Sequence, residues 1–147
     1  MKFVFHAARF DSPFGPLCSA LTSGPWSHGS FITDDGKHLD TTMSRGYLGL
    51  REPEPERWVV VYDLPSVKLW FSDVVPMLDT PYDSLGLFFY PLAVQDDTKL
   101  FCFESQVVAA KLAGLDLDTG SRPSPKKMIE VLKTFTNGIY IQEKYLI

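Results

Sequence analysis

The hydrophobic and polar positions of this chain fall into short blocks separated by Gly, Pro, Asp and Asn, and the period of the blocks changes along the sequence. Residues 2–7, KFVFHA, are rich in Phe and Val between loop residues, which predicts a strand. Residues 13–21 read as a short helix with Ser12 as N-cap and Pro13 at its first position, although Gly15 and Pro16 count against it. PWSHGSFITDDGKHLDTT, residues 25–42, has the pattern of a hairpin. If Asp34, Asp35 and Gly36 form a three-residue loop, Gly36 takes the left-handed position, Thr33 pairs with Lys37 and Phe31 meets Leu39. His28, Ser30, Ile32, His38, Asp40 and Thr42 then share the other face, with Asp40 diagonally across from His28. A two-residue Asp35-Gly36 turn would shift the pairing by one and put Asp40 on the face away from His28. The three-residue loop is the preferred reading.

Further along, REPEPE, 51–56, is a charged connector broken by proline, and WVVVYD, 58–63, is a β-branched run suited to a buried strand. From Ser66, Val67, Trp70, Phe71, Val74, Val75 and Leu78 recur at helical spacing until Pro76 kinks or ends the helix. TPYDSLG, 80–86, is turn-like. CFESQVVAAKLA, 102–113, predicts a helix with Val107, Val108 and Leu112 inward and Gly114 as its stop. Ser124-Pro125 opens another helix through MIEVLKTF, and Asn137-Gly138 turns into a last strand, IYIQEKYLI.

Composition narrows the function classes. At 147 residues and 45% hydrophobic, the chain is sized for one globular domain, residues 1–147, with a core that needs no staples. A net charge of −4 without clustered Lys and Arg argues against nucleic acid as a partner. Cys18 and Cys102 lack the short-spaced Cys or His companions of a zinc site, so neither a disulfide scaffold, a metal nor another cofactor is expected. Arg9 and Asp11 end the first apolar run too early for a secretory signal, and no stretch approaches the roughly 18 apolar residues that mark a transmembrane helix.

Three side chains carry candidate chemistry. Cys102 falls at a helix start, where unpaired backbone N–H groups and the helix dipole favour a thiolate and can hold an oxyanion. Alone, such a cysteine is more often core packing. A thiol nucleophile also needs a base, and the base a partner that fixes its tautomer. His28 and Asp40 fit those two roles, with His38 the runner-up for the second because it lies one pair further from His28 in the preferred register.

Those same residues carry a family resemblance. PWSHGSFITDDGKHLDTTMSRG resembles the "SHvgi…dG…viEa…Gv" segment of circularly permuted NlpC-type, papain-like cysteine hydrolases, and FCFESQVVAAKLAGL resembles their "fCSElvaraL…aG" nucleophile helix. LCSALTSGPWSH, WVVVYDLP, LDTPYDSLG and SRPSPKKMIEVL are similar in the same order, so the likeness spans nearly the whole chain. The resemblance implies an α+β papain-like fold, an antiparallel sheet packed against helices that include the nucleophile helix. It implies Cys102 as nucleophile, His28 as base, Asp40 as third member, Tyr82 beside the oxyanion or substrate, and Glu104 as the family's "CSE" acid. Phe103 stands where the family has a small residue, and Asp40 where it often has Glu. The implied activity is cleavage of an amide bond in peptidoglycan peptides, and a chain without a secretory signal is compatible with work in the cytoplasm or with carriage in a bacteriophage particle. The alternatives are a catalytically weakened subunit of a phage tail or baseplate, docking on other subunits, and a lipid amidase, thioesterase or acyltransferase.

Overall fold

Phe3 and Phe5 project to one side of β1, Lys2–Ala7, and Val4 and His6 to the other, and all four are buried. A strand covered on both faces belongs in the middle of a sheet. The computed structural model of the chain describes residues 1–8, 25–54, 56–83, 102–117 and 124–146. β1 there lies between β2, Trp26–Ile32, and β5, Trp58–Asp63, antiparallel to both. β3, His38–Thr41, and β4, Leu48–Leu50, extend one side, and β6, Ile139–Gln142, the other. The result is one six-stranded antiparallel sheet in the order β4-β3-β2-β1-β5-β6. With α1, Phe71–Val74, α2, Cys102–Leu112, and α3, Pro125–Leu132, the architecture is α+β.

The β2–β3 hairpin has the three-residue-loop register. Gly36 is left-handed at φ 79°, Thr33 N–H donates to the Lys37 carbonyl at 2.9 Å, and Phe31 pairs with Leu39 and Ile32 with His38. The loop's carboxylates do further work. Asp34 accepts from the Leu69 N–H at 2.7 Å and from the Met1 ammonium at 3.2 Å, and Asp35 accepts from the Phe71 N–H at 3.0 Å. Burial opposes ionisation of Asp34, but the Leu69 N–H and the ammonium outweigh it and lower its pKa.

Asp35 thus caps α1 from another element, and the helix expected from Ser66 begins only at Phe71. It ends at Val74 and passes into a 3-10 turn, Val75–Met77, because Pro76 supplies no N–H to continue the ladder. The helix expected at residues 13–21 lies outside the described residues, as does Cys18. α3 begins as expected, with the Ser124 hydroxyl accepting from the Lys127 N–H and Pro125 in the first turn, and stops at Leu132. The last strand is shorter than IYIQEKYLI: after Gln142 the chain turns through a 3-10 segment, Glu143–Tyr145, that carries Glu143 inward.

One sheet face forms the main core, where Phe3, Phe5, Phe31, Leu39 and Val60 meet Cys102, Phe103, Ala109 and Ala110 of α2. Leu112, expected inward, is exposed, and the buried positions of α2 are mostly its first turn and its alanines. Ala109 and Ala110 let the helix lie close to the sheet, and its one large apolar side chain in this contact, Phe103, stacks on Phe5 with ring centroids 6.3 Å apart. Gly29 makes that approach possible. A Cβ there would lie 2.6 Å from Gln106 Oε1 and 2.8 Å from the Phe103 ring. Gln106 is held in place, its amide donating to the Val4 and Ser30 carbonyls at 3.0 and 2.7 Å. Gly29→Ala is therefore expected to destabilise the fold by about 1–3 kcal/mol through overpacking, read as a lower urea midpoint at unchanged slope. A midpoint equal to that of the parent would mean that α2 does not press on β2.

Candidate functional site

All three histidines of the chain, His6, His28 and His38, stand on the other face of the sheet. Alternation puts them there: Gly29 and Phe31 face α2, so His28 and Ser30 on the same strand face away from it. Cross-strand pairing sets His6 opposite His28, with ring centroids 5.2 Å apart, and brings Asp40 within reach. His28 Nε2 lies 2.7 Å from Asp40 Oδ2. An ionised carboxylate only accepts, so Nε2 carries the proton and Nδ1 is the basic atom of a neutral His28.

Asp40 is fully buried and held by two arginines. Arg51 Nη1 donates to Oδ2 at 2.6 Å, and Arg45 Nη2 donates to Oδ1 at 2.7 Å and also to the Asp40 carbonyl. Burial opposes its ionisation, but the His28 hydrogen bond and the charges of His28 and Arg51 outweigh it, holding the carboxyl far below the usual carboxylate range. Arg51 continues the network. Its Nε donates to Glu143 Oε1 at 2.6 Å and its Nη2 to Glu143 Oε2 at 3.1 Å, joining residues 92 apart in sequence. His6 Nδ1 is 3.3 Å from Glu143 Oε2, and Ser30 Oγ is 2.6 Å from both His6 Nε2 and His38 Nε2.

The histidine pKa values all move down. Burial is the main cause at each, and Arg51 adds to it; Asp40 opposes the fall at His28, and His38 is pushed down to about 4. At neutral pH the face holds three uncharged imidazoles. Among the described residues, Arg51 pairs with both Asp40 and Glu143, Arg45 pairs with Asp40, and the charge of Arg57 reaches His6 and His28.

Of the residues singled out in the sequence, the structure brings His28 and Asp40 together. His38 bonds Ser30 instead of His28. Cys102 opens α2 as expected, but it is buried in the main core on the α2 side of the sheet, and Tyr82 packs against that same core. Cys102 and His28 therefore lie on opposite faces, and the sheet stands between thiol and imidazole. Arg51 and Glu143 were missed by sequence reasoning. Arg51 opens the run read as a charged, proline-broken connector, and Glu143 sits in the run read as a strand. His6 did carry a signal, because its place on β1 follows from the same period-two argument as His28. Among the described residues no helix is long and apolar enough to cross a membrane. No family model matches the chain, and neither do any of the curated proteins or solved structures compared with it.

Proposed function

We propose that the chain is a domain of the permuted papain-like cysteine-hydrolase type in which the acid–base pair is built and the thiol is uncoupled from it. It works as a structural or interaction subunit, of the kind the resemblance places in phage tails and baseplates. The observation that carries this reading is the separation of Cys102, in the core under α2, from the His28–Asp40 pair on the far face of the sheet. A general base must come within hydrogen-bond reach of the proton it removes, directly or through one water. Edge strand β6 supports the interaction role. Ile139 and Tyr140 on it are exposed, as are Trp58 on the neighbouring strand and Tyr145 just beyond, and an exposed sheet edge is a template with which another chain can pair.

A second reading, amide hydrolysis in peptidoglycan peptides, is favoured by one observation. The His28–Asp40 pair forms at 2.7 Å with Nδ1 as base, the arrangement a thiol nucleophile requires. One experiment separates the two readings. In a Cys18→Ala background, Cys102 is expected to react with iodoacetamide near neutral pH no faster than an ordinary buried thiol, and His28→Ala is expected to leave that rate unchanged. Labelling faster than a free thiol, slowed by His28→Ala and accompanied by release of peptides from purified cell wall, would replace the first reading by the second.

A further inference from the structure

We propose that His6, His38 and Glu143 form a binding site for a divalent transition metal of the zinc class, a function independent of the hydrolase reading. The three residues come from β1, β3 and the segment after β6, yet one ligand atom from each lies within 4.8 Å of the others. Two imidazoles and a carboxylate suit zinc, cobalt or nickel, and do not suit magnesium or calcium, which prefer all-oxygen sites. The sequence argued against a metal only through its cysteines, and this set needs none.

The hydrogen bonds around the cluster point the same way. Nε2 of each ring is fixed by Ser30 Oγ at 2.6 Å, which leaves Nδ1 of each as the coordinating atom. His38 Nδ1 is buried with no hydrogen-bond partner among the described residues, an arrangement that buried polar atoms rarely keep. Among the described residues His6 Nδ1 has only long contacts, 3.3 Å to Glu143 Oε2 and 3.5 Å to Arg51 Nη2. Coordination through both Nδ1 atoms puts a proton on each Nε2, and the Ser30 hydroxyl has two lone pairs to accept both. Ser30 then acts as the outer partner that orients metal-bound histidines.

Arg51 sets the limit on affinity. A metal on Glu143 Oε2 replaces the 3.1 Å contact to Nη2 and leaves the 2.6 Å bond from Nε to Oε1, so the guanidinium becomes the outer partner of a ligating carboxylate. Its charge opposes that of the cation, while Asp40 on Nη1 offsets part of it. Binding weaker than that of a closed cysteine site follows.

The test is calorimetric titration of the chelator-stripped full chain with Zn2+, and absorption spectra with Co2+. One equivalent is expected to bind at micromolar concentration, with cobalt d–d bands and no thiolate charge-transfer band, while Mg2+ gives no heat. His38→Gln keeps a group near Ser30 and removes Nδ1, and it is expected to weaken Zn2+ binding at least about tenfold. Glu143→Gln is expected to do the same, and it serves as the test if His38→Gln loses its circular dichroism. No binding at these concentrations, a thiolate band, or parental affinity in whichever variant is folded would overturn the proposal.

Discussion

Arg51→Met is expected to destabilise the protein by about 3–5 kcal/mol, the cost of removing one partner from a buried ion pair. For a domain of this size that is a fall in Tm of roughly 10 °C or more. The side chain is 5% exposed, and both carboxylates it serves are at 0%. Removing the guanidinium leaves Asp40 with Arg45 and His28, and leaves Glu143 without its two shortest contacts. Arg51→Lys is expected to recover only part of the loss, because one ammonium cannot reach Asp40 and both oxygens of Glu143 as the planar fork does. Adding Glu143→Gln to Arg51→Met is expected to cost less than the two single changes summed, since the second charge no longer needs a partner. Urea denaturation of the parent, the three single variants and the double variant measures this directly. A loss under about 1 kcal/mol for Arg51→Met, the value of an exposed pair, would show the network to be solvated.

What could be read from the sequence depended on how local the determining physics was. The hairpin register followed from Asp34-Asp35-Gly36, because a left-handed glycine and a period of two fix the partners by counting. The His28–Asp40 pair came with it. The start of α3 was legible for the same reason, since Ser124 and Pro125 act within one turn. The start of α1 was not: the hydrophobic spacing from Val67 to Leu78 is helical, but Asp35 arrives from the hairpin to cap the backbone at Phe71.

The site shows the same division. Period-two alternation placed His28 and His38 on one face of the hairpin, but the sequence alone could not say on which side of the sheet the cysteine helix would pack. Gly29 decides that, because the face it opens is the one that admits Phe103 and Gln106. The residue that separates Cys102 from His28 is thus a glycine next to the histidine. Arg51 and Glu143 belong to a different kind of problem. Each looks like an ordinary surface charge in its own segment, and only the fold reveals that they neutralise one another inside it.

Lowering the pH of the metal-free protein from 7 to 5 is expected to remove several kcal/mol of stability, and the histidine face is the cause. Each of its imidazoles has a pKa below the ordinary 6.5, so the unfolded chain takes up protons in this range that the folded chain refuses. Stability is then complete above pH 6.5 and falls as the pH drops toward the folded-state values. For His38, pushed down to about 4, the loss reaches about 2 kcal/mol at pH 5 and about 3 kcal/mol at pH 4. His6 and His28 act in the same direction, both under the charges of Arg51 and Arg57, while Asp40 softens the effect at His28 and Asp40 and Glu143 soften it at His38. Asp40 cannot account for a change in this window. Its carboxyl is lowered, so its contribution stays intact until the pH falls below about 3.9, where the unfolded aspartate begins to protonate. Urea midpoints at pH 7, 6 and 5 measure the slope, and His38→Gln, which removes one titrating ring, is expected to flatten it by the His38 share. A stability that stays level between pH 7 and 5 would mean that the imidazoles are protonated as readily in the fold as outside it, and that the face is open to water.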